Sequence, residues 1–342
     1  MVIPVENASG ENERRSILDV AQMAGVSIAT VSRVINANGY VSSKTEKRVR
    51  EAIERCGYVP NMAARGMRTN RMPVIGFVVD NVKNEYFSDL ATNLQRIFMA
   101  KGYFLLICTT DCVPEVEQAS IRMLSAQRAS GLIVISRDVA SDSIPEDMPA
   151  VCIDCLTPRP CGSMLARVES DNLHGGYLAT KELIDKGCRE IVLFTGPENA
   201  YTSRQRAQGY FSALLEAGLP IDLRRVFHFT GYDYSNGEQL VSQLIESGIS
   251  CDGIFAICDY VVQGSLDALA RHGIRVPEEV RVVGFDDLYM AQCAGRKLTT
   301  IHQYSEQVAQ ATADILLSMI SGRKPDACEV VIPTDLVQRG TT

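Results

Sequence analysis

Short apolar runs alternate with amphipathic stretches along most of the chain. The runs have the length of buried strands, and the stretches between them carry apolar positions at helical spacing. This alternation predicts parallel sheets covered by helices, in two doubly wound lobes with a ligand crevice at the carboxyl ends of the strands. The predicted strands are Val74–Val79, Phe104–Cys108, Gly131–Ile135, Val151–Ile153, Ile191–Phe194, Val226–Phe229, Gly253–Ile257 and Arg281–Phe285. The predicted helices between them include Phe87–Lys101, Leu173–Lys186, Arg204–Ala217, Asn236–Ser247 and Val261–Arg271.

The beginning of the chain has a different pattern, that of three short helices. Ser16 begins Ser-Ile-Leu-Asp, a cap followed three residues later by an acid, so a helix is expected directly after it. The spacing from Ala21 through Gly25 to Val31 is typical of a helix-turn-helix, in which the small residue allows close packing and the glycine makes the turn. A third helix is expected to start with a second capping box at Ser43-Lys-Thr-Glu46.

Charge separates this helical head from the rest of the chain. The whole chain carries 34 Lys and Arg against 41 Asp and Glu, a net charge of −7. Residues 14–71 hold eleven of the basic residues and only four of the acidic ones, a net of +7, so the remaining positions carry −14. A basic head on an acidic body predicts a polyanionic partner that binds the head alone.

The second helix of a helix-turn-helix enters the major groove with its N-terminal residues toward the bases. Arg33 can pair bidentately with guanine, and Ile28 and Ala29 can contact a thymine methyl group. The short polar side chains around them suit phosphate contacts. The residues expected to contact DNA are Ser16, Ser27, Ile28, Ala29, Thr30, Ser32, Arg33, Asn36, Tyr58, Asn61, Ala64 and Met67. The alternative is a generic helical hairpin, which the turn spacing, the paired caps and the charge disfavour.

A short basic segment follows the head. Pro60 interrupts any regular secondary structure before it. Asn61 can then cap a helix of about two turns, and a helix this short is not stable alone. Gly66 weakens that helix further, by roughly 1 kcal/mol relative to Ala. We therefore expect a hinge helix within residues 60–72 that folds on contact with DNA, with an ordinary flexible linker as the alternative.

Other features narrow the class of protein. No run of 18 apolar residues occurs, so no membrane span is expected, and the polar start MVIPVENASGENERRS predicts a cytoplasmic location. The eleven cysteines are expected to be buried thiols rather than disulfides. Cys152 and Cys155 have CxxC spacing, but on a strand they would point to opposite faces and could not pair. With four scattered His, neither a metal site nor a cofactor is expected.

Common enzyme motifs are missing from the body. It contains no GxGxxG after a strand and no GxxxxGK[ST], GxSxG or HExxH motif. Asp286 and Asp287 form a carboxylate pair at a strand end, but such neighbours are more often turn and capping residues than catalysts. We therefore do not expect an enzyme.

The head and the segment after it carry a family resemblance. The sequence DVAQMAGVSIATVSRVIN, followed by YVSSKTEKRVREAIERCGYVPNMAARGMRT, resembles the head and hinge of the LacI/GalR family of bacterial transcription repressors. The resemblance implies a hinge helix in the minor groove of a symmetric operator, with Met67 in place of the Leu that opens the central base step. It continues to the C-terminus and implies a body with the fold of periplasmic sugar-binding proteins, whose chain crosses between the lobes several times. The segment Tyr289–Gln303 would then return to the first lobe, and the last strand, Glu329–Pro333, would belong to the second.

Effector-binding residues are expected just after the strands, where the two lobes face each other. The side chains that could grip hydroxyls or cover a ring there are Tyr86, Phe87, Ser136, Asp154, Arg204, Tyr232 and Asp259. The resemblance implies that Arg204, the first Arg of Arg-Gln-Arg-Ala-Gln-Gly-Tyr, clamps the effector and that Tyr232 stacks on it. It also implies a binding role for Asp259, which follows Cys258 where the family usually has Asn. Arg204 and Asp259 could instead cap helices, and Tyr232 could be a core residue.

These observations lead to one main hypothesis about function. The chain is expected to be a DNA-binding repressor, acting as a homodimer on a near-palindromic operator and controlled by a small molecule, a carbohydrate by family resemblance. A purine-like corepressor is one alternative, and a sugar-binding or metabolic protein whose head serves assembly is another. The expected organisation is a disordered arm over residues 1–15, the head over 16–59, the hinge over 60–72 and the effector-binding and dimerisation body over 73–342.

Overall fold

The computed structural model describes residues 16–36, 39–58, 71–135, 144–155, 164–293 and 297–342. The chain divides into two compact units, Met1–Asn70 and Arg71–Thr342. In its described part the first unit, the head, is helical, and the second unit, the body, is α/β. The expected arm over residues 1–15 and the hinge segment from Pro60 to Asn70 lie outside the described residues.

In its described residues the head has three helices, which pack around one apolar cluster. They are α1 (Ile17–Ala24), α2 (Ile28–Asn36) and α3 (Ser43–Cys56). Each contributes one valine with no exposed surface, Val20, Val31 and Val49, so the three helices share a single core. In the described part of the chain no single helix is both long and apolar enough to span a membrane, and α1 and α2 meet that test only as a pair bent by 104°.

Local caps explain where these helices begin. Ser16 and Asp19 form the expected capping box, in which the Ser16 N–H donates to the Asp19 carboxylate over 2.7 Å. The cap of α3 is Ser42, whose hydroxyl oxygen accepts from the Thr45 N–H over 3.3 Å, and not the following serine as expected. Either of two consecutive serines can cap a helix, so the pattern alone does not choose between them.

The first lobe of the body is a six-stranded parallel sheet with helices on both faces. In spatial order its strands are β11 (Glu329–Ile332), β5 (Leu165–Ser170), β4 (Ala150–Ile153), β3 (Ala129–Ile135), β1 (Met72–Val79) and β2 (Phe104–Thr109). Its helices are α4 (Glu85–Ala100) and α11 (Ser305–Ile320) on one face and α5 (Pro114–Ala126) on the other. Every residue of β3 and β4 is buried, as expected for central strands covered on both faces.

The second lobe repeats this architecture. In spatial order its strands are β12 (Thr334–Val337), β10 (Thr299–Gln303), β9 (Arg281–Asp286), β8 (Gly253–Ala256), β6 (Ile191–Thr195) and β7 (Val226–His228). Its helices are α6 (Asn172–Asp185), α7 (Tyr201–Glu216), α8 (Tyr234–Ser247), α9 (Asp259–Arg271) and the short α10 (Tyr289–Gln292). All neighbouring strands are parallel except β10 and β12. The predicted fold class, a small helical head followed by two doubly wound lobes, is confirmed.

Among the described residues, the chain passes from one lobe to the other at three places, residues 170–172, 303–305 and 332–334. Two expectations about this path were wrong. The segment Tyr289–Gln303 ends in β10, which pairs with β9 in the second lobe, and the strand within Glu329–Pro333 pairs with β5 in the first lobe. The last crossing then brings β12 beside β10. Both expectations came from the family resemblance, and local pattern could not correct them, because the partner of a late strand depends on the path between the lobes.

The two cysteines of the CxxC stretch are bonded, which contradicts the expectation of free thiols on opposite faces. Strand β4 ends at Ile153, and Asp154 has a φ of 51°, in the left-handed region. The left-handed backbone at Asp154 ends the alternation of side chains between the two faces of the strand. Cys155 therefore lies on the same side as Cys152, and the two form a disulfide bond. The prediction was wrong because it continued the strand geometry past its last residue.

Helices α6 and α7 meet backbone to backbone at glycines. A Cβ on Gly176 would lie 2.2 Å from the Arg206 carbonyl oxygen, and a Cβ on Gly209 would lie 2.2 Å from that of Leu173. Only glycine permits so close an approach. The contact fixes α7 against α6, and it thereby fixes the position of Arg206 relative to the start of α6.

Candidate DNA-reading face and effector cleft

Helix α2 presents an accessible face away from the core of the head. Val31 and Val34 are buried in the apolar cluster, whereas Ile28, Ala29 and Arg33 are exposed. Ala29 and Arg33 are four residues apart and therefore lie on one side of the helix. The side chains that are expected to contact bases are therefore exposed in the structure and accessible to a partner.

Polar bonds hold the turn that leads into α2. The Ser27 hydroxyl oxygen accepts from the Thr30 N–H over 3.1 Å and so caps the helix. The Arg48 guanidinium of α3 donates to the carbonyl oxygens of Ala24 and Gly25, and Gly25 itself has a φ of 60°. The third helix thus fixes the angle at which α2 leaves α1.

The other residues expected to contact DNA have varied surroundings. Ser16 caps α1, Ser32 is half-buried on α2, and Tyr58 packs against the apolar cluster of the head. Asn36 is the last residue of α2. Outside the described residues lie the hinge positions Asn61, Ala64 and Met67.

A cavity of about 510 Å³ lies where the carboxyl ends of strands from both lobes meet. Its described wall combines aromatic rings, carboxylates and two basic side chains. These are Tyr86, Phe87, Tyr201, Tyr232, Tyr234 and Tyr260, then Asp80, Asp111, Asp154, Asp233 and Asp286, and lastly Lys83 and Arg206. In the part of the chain that the structure describes, no group of three or more His, Cys, Asp or Glu side chains is arranged to hold a metal ion.

Arg206 is the buried centre of the cavity floor. Its Nε donates to Asn172 Oδ1 over 2.8 Å, and its Nη1 donates to the Ile257 carbonyl oxygen over 2.6 Å. Nη1 also lies 3.6 Å from the Asp286 carboxylate, and the guanidinium stacks over Phe285 with Cζ 3.5 Å from the ring centroid. A buried guanidinium needs acceptors on several sides, and these contacts fix its orientation.

Asn172 connects this guanidinium to the first lobe. Its Nδ2 donates to Asp154 Oδ1 and to the Ser170 carbonyl oxygen, each over 3.0 Å. The Ser170 N–H also donates to Asp154 Oδ1, again over 3.0 Å. Asp154 follows β4 of the first lobe, and Arg206 belongs to α7 of the second. The bonded chain Asp154–Asn172–Arg206 therefore runs between the lobes at the first crossing.

Asp286 extends the same chain to the second crossing. Its Oδ1 accepts from Nε2 of Gln303, the last residue of β10, over 2.6 Å. The sequence had suggested a turn role for the pair Asp286 and Asp287, but Asp286 lies in the cavity wall. Asp287 does have a structural role, because its carboxylate binds Arg339 over 2.6 Å and His302 over 2.9 Å.

Burial perturbs the carboxyl groups of the floor. Desolvation raises the pKa of Asp154 to about 6, an effect that Arg206 and the hydrogen bonds from Ser170 and Asn172 partly offset. Desolvation likewise raises the pKa of Asp286 to about 6, and Arg206 is again the largest opposing influence. The Arg206 guanidinium is therefore the main group that favours the ionised form of both buried carboxyl groups.

Two residues expected to bind an effector lie away from the cavity wall. Arg204 is exposed on α7 and donates to the Asn199 carbonyl oxygen over 3.4 Å. Asp259 is fully buried at the start of α9, where its carboxylate accepts from Thr300 Oγ1 over 2.7 Å and from the Leu288 N–H over 3.0 Å. Asp259 thus ties α9 to β10 and to the loop after β9.

Helical spacing distinguishes the two arginines of α7. Arg206, Gly209, Tyr210 and Ala213 recur every three or four residues and form the buried face of the helix. Arg204 is two residues from Arg206 and therefore lies on the opposite side. The expectation for Arg204 followed the order of the arginines in the motif, whereas the period of the helix would have identified Arg206.

The other expected effector residues that the structure describes do line the cavity. Tyr86, Phe87, Asp154 and Tyr232 all contribute to its wall. The Tyr232 ring packs edge-on against Phe229 with centroids 5.2 Å apart, so one ring edge is anchored in the lobe. Ser136 lies outside the described residues.

Comparison with known proteins identifies the family. Residues 16–61 match the model of bacterial regulatory proteins of the lacI family, and residues 180–342 match that of the periplasmic binding protein-like domain. The chain is 30% identical over 331 residues to the HTH-type transcriptional repressor PurR of Vibrio atlanticus (strain LGP32), which covers 95% of this chain and 98% of the relative. The chain belongs to the LacI family. It is also 32% identical over 311 residues to PurR of Haemophilus influenzae (strain PittEE), with 90% and 91% covered.

Solved structures of LacI-family proteins share this architecture. The lac repressor dimer bound to operator and the anti-inducer ONPF superposes with a TM-score of 0.82 at 26% identity, covering 96% of this chain and 99% of that one. The complex of the transcriptional regulator CelR with cellobiose gives a TM-score of 0.72 at 29% identity, covering 96% and 100%. These relatives confirm the prediction of a DNA-binding transcriptional regulator with an effector-binding body, and they confirm that this LacI-family chain is not an enzyme.

The raised pKa of Asp154 has a measurable consequence for stability. A carboxyl group whose pKa is higher in the folded chain stabilises the fold below its ordinary pKa, and that contribution is lost as pH rises through about 6. Asp154→Asn keeps an acceptor for Ser170 and Asn172 but is neutral at every pH. Its stability relative to the wild type should therefore rise by about 2 kcal/mol between about pH 4.5 and 7.5. Urea unfolding at the two pH values measures this difference.

The matched control is Asp185→Asn, which removes a carboxylate from an exposed pair with Lys181 on α6. Its effect on the free energy of unfolding should be small and should not follow the pattern of Asp154→Asn. A stability difference for Asp154→Asn that stays constant with pH would contradict the electrostatic account of the floor.

Proposed function

We propose that this chain is a repressor that binds a near-palindromic operator and that a small molecule in the cavity of the body controls its operator affinity. The observation that carries the proposal is the bonded chain Asp154–Asn172–Arg206 at the cavity floor, because a ligand held there contacts both lobes at once. A ligand that binds one arrangement of the lobes more tightly shifts the population toward that arrangement. Operator affinity and ligand affinity are then linked reciprocally.

In this proposal α2 lies in the major groove of each half-site. Arg33 pairs with guanine, and the residues at the start of the helix contact thymine methyl groups and phosphates. The net charge of +7 within residues 14–71 supplies the attraction to the backbone, so binding weakens steeply with salt.

The base-reading role of Arg33 can be tested by substitution. Arg33→Ala should lower the ratio of operator to nonspecific affinity by roughly tenfold, since one bidentate base contact is worth about 1–3 kcal/mol. Fluorescence anisotropy measures the ratio with an operator selected from random duplexes and with a scrambled duplex, at two salt concentrations.

The control is Arg55→Ala, which removes an exposed basic side chain from the last turn of α3. It lowers the charge of the head by the same amount, so any general weakening should be similar while the ratio is retained. An unchanged ratio in Arg33→Ala would argue against Arg33 as a base reader.

For the effector, the cavity wall supports a carbohydrate. Phe87 and Tyr232 offer apolar ring faces, and Arg206 and the two floor carboxyl groups offer hydrogen bonds suited to vicinal hydroxyls. The similarity to the CelR–cellobiose complex also supports this class. The second candidate, a purine-like corepressor, is favoured by the similarity to repressors named PurR.

Two arginines of one helix provide a matched test of the site. Arg206→Lys keeps the charge but loses the planar fork that reaches Asn172 and the Ile257 carbonyl oxygen, so effector affinity should fall by at least about tenfold. Arg204→Lys, on the exposed side of the same helix, should leave it unchanged. Thermal-shift titrations with sugars, sugar phosphates and nucleobases identify the ligand and compare the variants.

The outcomes separate the candidates. Stabilisation by nucleobases alone would replace the carbohydrate with the purine-like corepressor. A loss of affinity in Arg204→Lys with none in Arg206→Lys would mean that the ligand does not bind at the cavity floor.

We also propose a homodimer, which two half-sites require. The edge strand β2 leaves Phe104, Leu106 and Ile107 at least 39% exposed, and Met123 on the neighbouring α5 is 46% exposed. An unpaired edge with exposed apolar side chains is suited to association with a second copy.

Sedimentation velocity can test this surface. Leu106→Glu should shift the chain from dimer to monomer at micromolar concentration, because it places a charge in the apolar contact. The control is Val331→Glu, at an exposed apolar position on β11, the opposite edge of the same sheet. A Leu106→Glu chain that remains dimeric would move the interface elsewhere.

A further inference from the structure

The wall of the proposed effector cavity carries an excess of negative charge. Its described part has five carboxylates against Lys83 and Arg206. Lys83 is exposed, and Arg206 is already held by Asn172 and by the Ile257 carbonyl oxygen. The excess of carboxylates extends to the buried floor of the cavity, where Asp154 and Asp286 both interact with the Arg206 guanidinium.

One buried polar atom of this wall has no hydrogen-bond partner among the described residues. It is Oε1 of Gln303, a residue that lines the cavity and is only 4% exposed. Because polar atoms are rarely buried without a partner, this atom indicates a ligand that completes its bonding.

The groups around this atom specify what the ligand must supply. Gln303 donates through Nε2 to Asp286, so its Oε1 can only accept. Both hydrogen bonds that hold Asp154 end on Oδ1, so its Oδ2 can accept from a ligand. The floor is therefore rich in acceptors, and the complementary ligand group is a donor.

We propose that the effector is a polyhydroxylated molecule that carries a protonated amine, and that this amine binds at the floor beside Asp154 and Asp286. The inference rests on the proposed effector role of the cavity and names the chemical class of its ligand. An ammonium group brings three donors and a positive charge, so it satisfies the acceptors and offsets the excess carboxylate together. A hydroxyl brings one donor and no charge, and a phosphate adds negative charge to a wall that is already negative.

The electrostatics of the floor agree with this assignment. Burial is the main cause of the raised pKa of Asp286, and repulsion from Asp154 adds to it. A cation bound beside the two carboxylates reduces that repulsion.

Matched sugars test the assignment on the full chain. Thermal-shift titrations compare the amine, hydroxyl and 6-phosphate forms of glucose, galactose and mannose, at a pH where the amine is protonated. For the ring that binds, the amine form should bind at least about tenfold more tightly than the hydroxyl form, since a charge-assisted bond is roughly twice as strong as a neutral one. The phosphate form should give no stabilisation.

The source of the preference is tested with Asp154→Asn, which keeps the acceptor that Ser170 and Asn172 use. In this variant the preference for the amine form should be several-fold smaller, because one of the two carboxylates beside the amine is lost. Asp185→Asn, at the exposed surface of α6, should keep the full preference. Circular dichroism and the unliganded melting temperature establish that each variant is folded.

Each result decides a separate point. A neutral or phosphorylated sugar that binds as tightly as its amine form overturns the amine assignment but leaves the effector site in place. An undiminished preference in Asp154→Asn overturns it as well, because the amine then binds away from Asp154. If no sugar of any class stabilises the chain, both the amine assignment and the carbohydrate effector are wrong.

Discussion

A guanidinium buried between two lobes is stable only if hydrogen-bond acceptors surround it on several sides. The residues at the floor of the cavity meet this requirement for Arg206. Arg206 receives its acceptors from the start of α6, from the residue after β8 and from the end of β9. Removing any one of them would leave part of a charge buried without compensation. The carboxyl ends of these strands are therefore held together by an electrostatic need as well as by the packing of the sheet.

The same arrangement explains how the two lobes can be joined and still move. Their apolar cores are separate clusters, and polar bonds connect them. Tyr201 donates to Glu169 over 2.7 Å, and the Tyr289 N–H donates to Glu85 over 2.8 Å across the cleft. Polar bonds can exchange with water or with a ligand without exposing a core, so each lobe can remain rigid while the contacts between the lobes change.

Sequence alone predicted those parts of the structure whose causes are local. These local causes are the capping residues Ser16 and Asp19, the turn at Gly25 and the apolar runs of the central strands. Each acts over a few positions, and together they were sufficient to predict the head and the two lobes. Strand β10 was missed as a strand because its residues Thr299–Gln303 are mostly polar, although four of the five are buried. Such burial depends on neighbours that are distant along the chain.

The errors at the candidate site have the same origin. Arg206 and Asp286 are charged residues, and their burial is possible only because each supplies what the other lacks, from segments 80 positions apart. Local pattern places such residues at the surface, which is why Asp286 was taken for a turn residue. The bonded cysteines depended on a single positive φ at Asp154, which no periodicity shows.

The path of the chain after the second crossing has a consequence for how the body is made. Strand β11 completes the first sheet and β12 completes the second, with only Pro333 between them. Neither lobe can reach its final set of strands until residues 329–337 have been synthesised, so the two lobes cannot be finished one after the other as the chain emerges. During translation the strands that await these partners, β5 and β10, have an unpaired side, and the body becomes complete in both lobes almost at once.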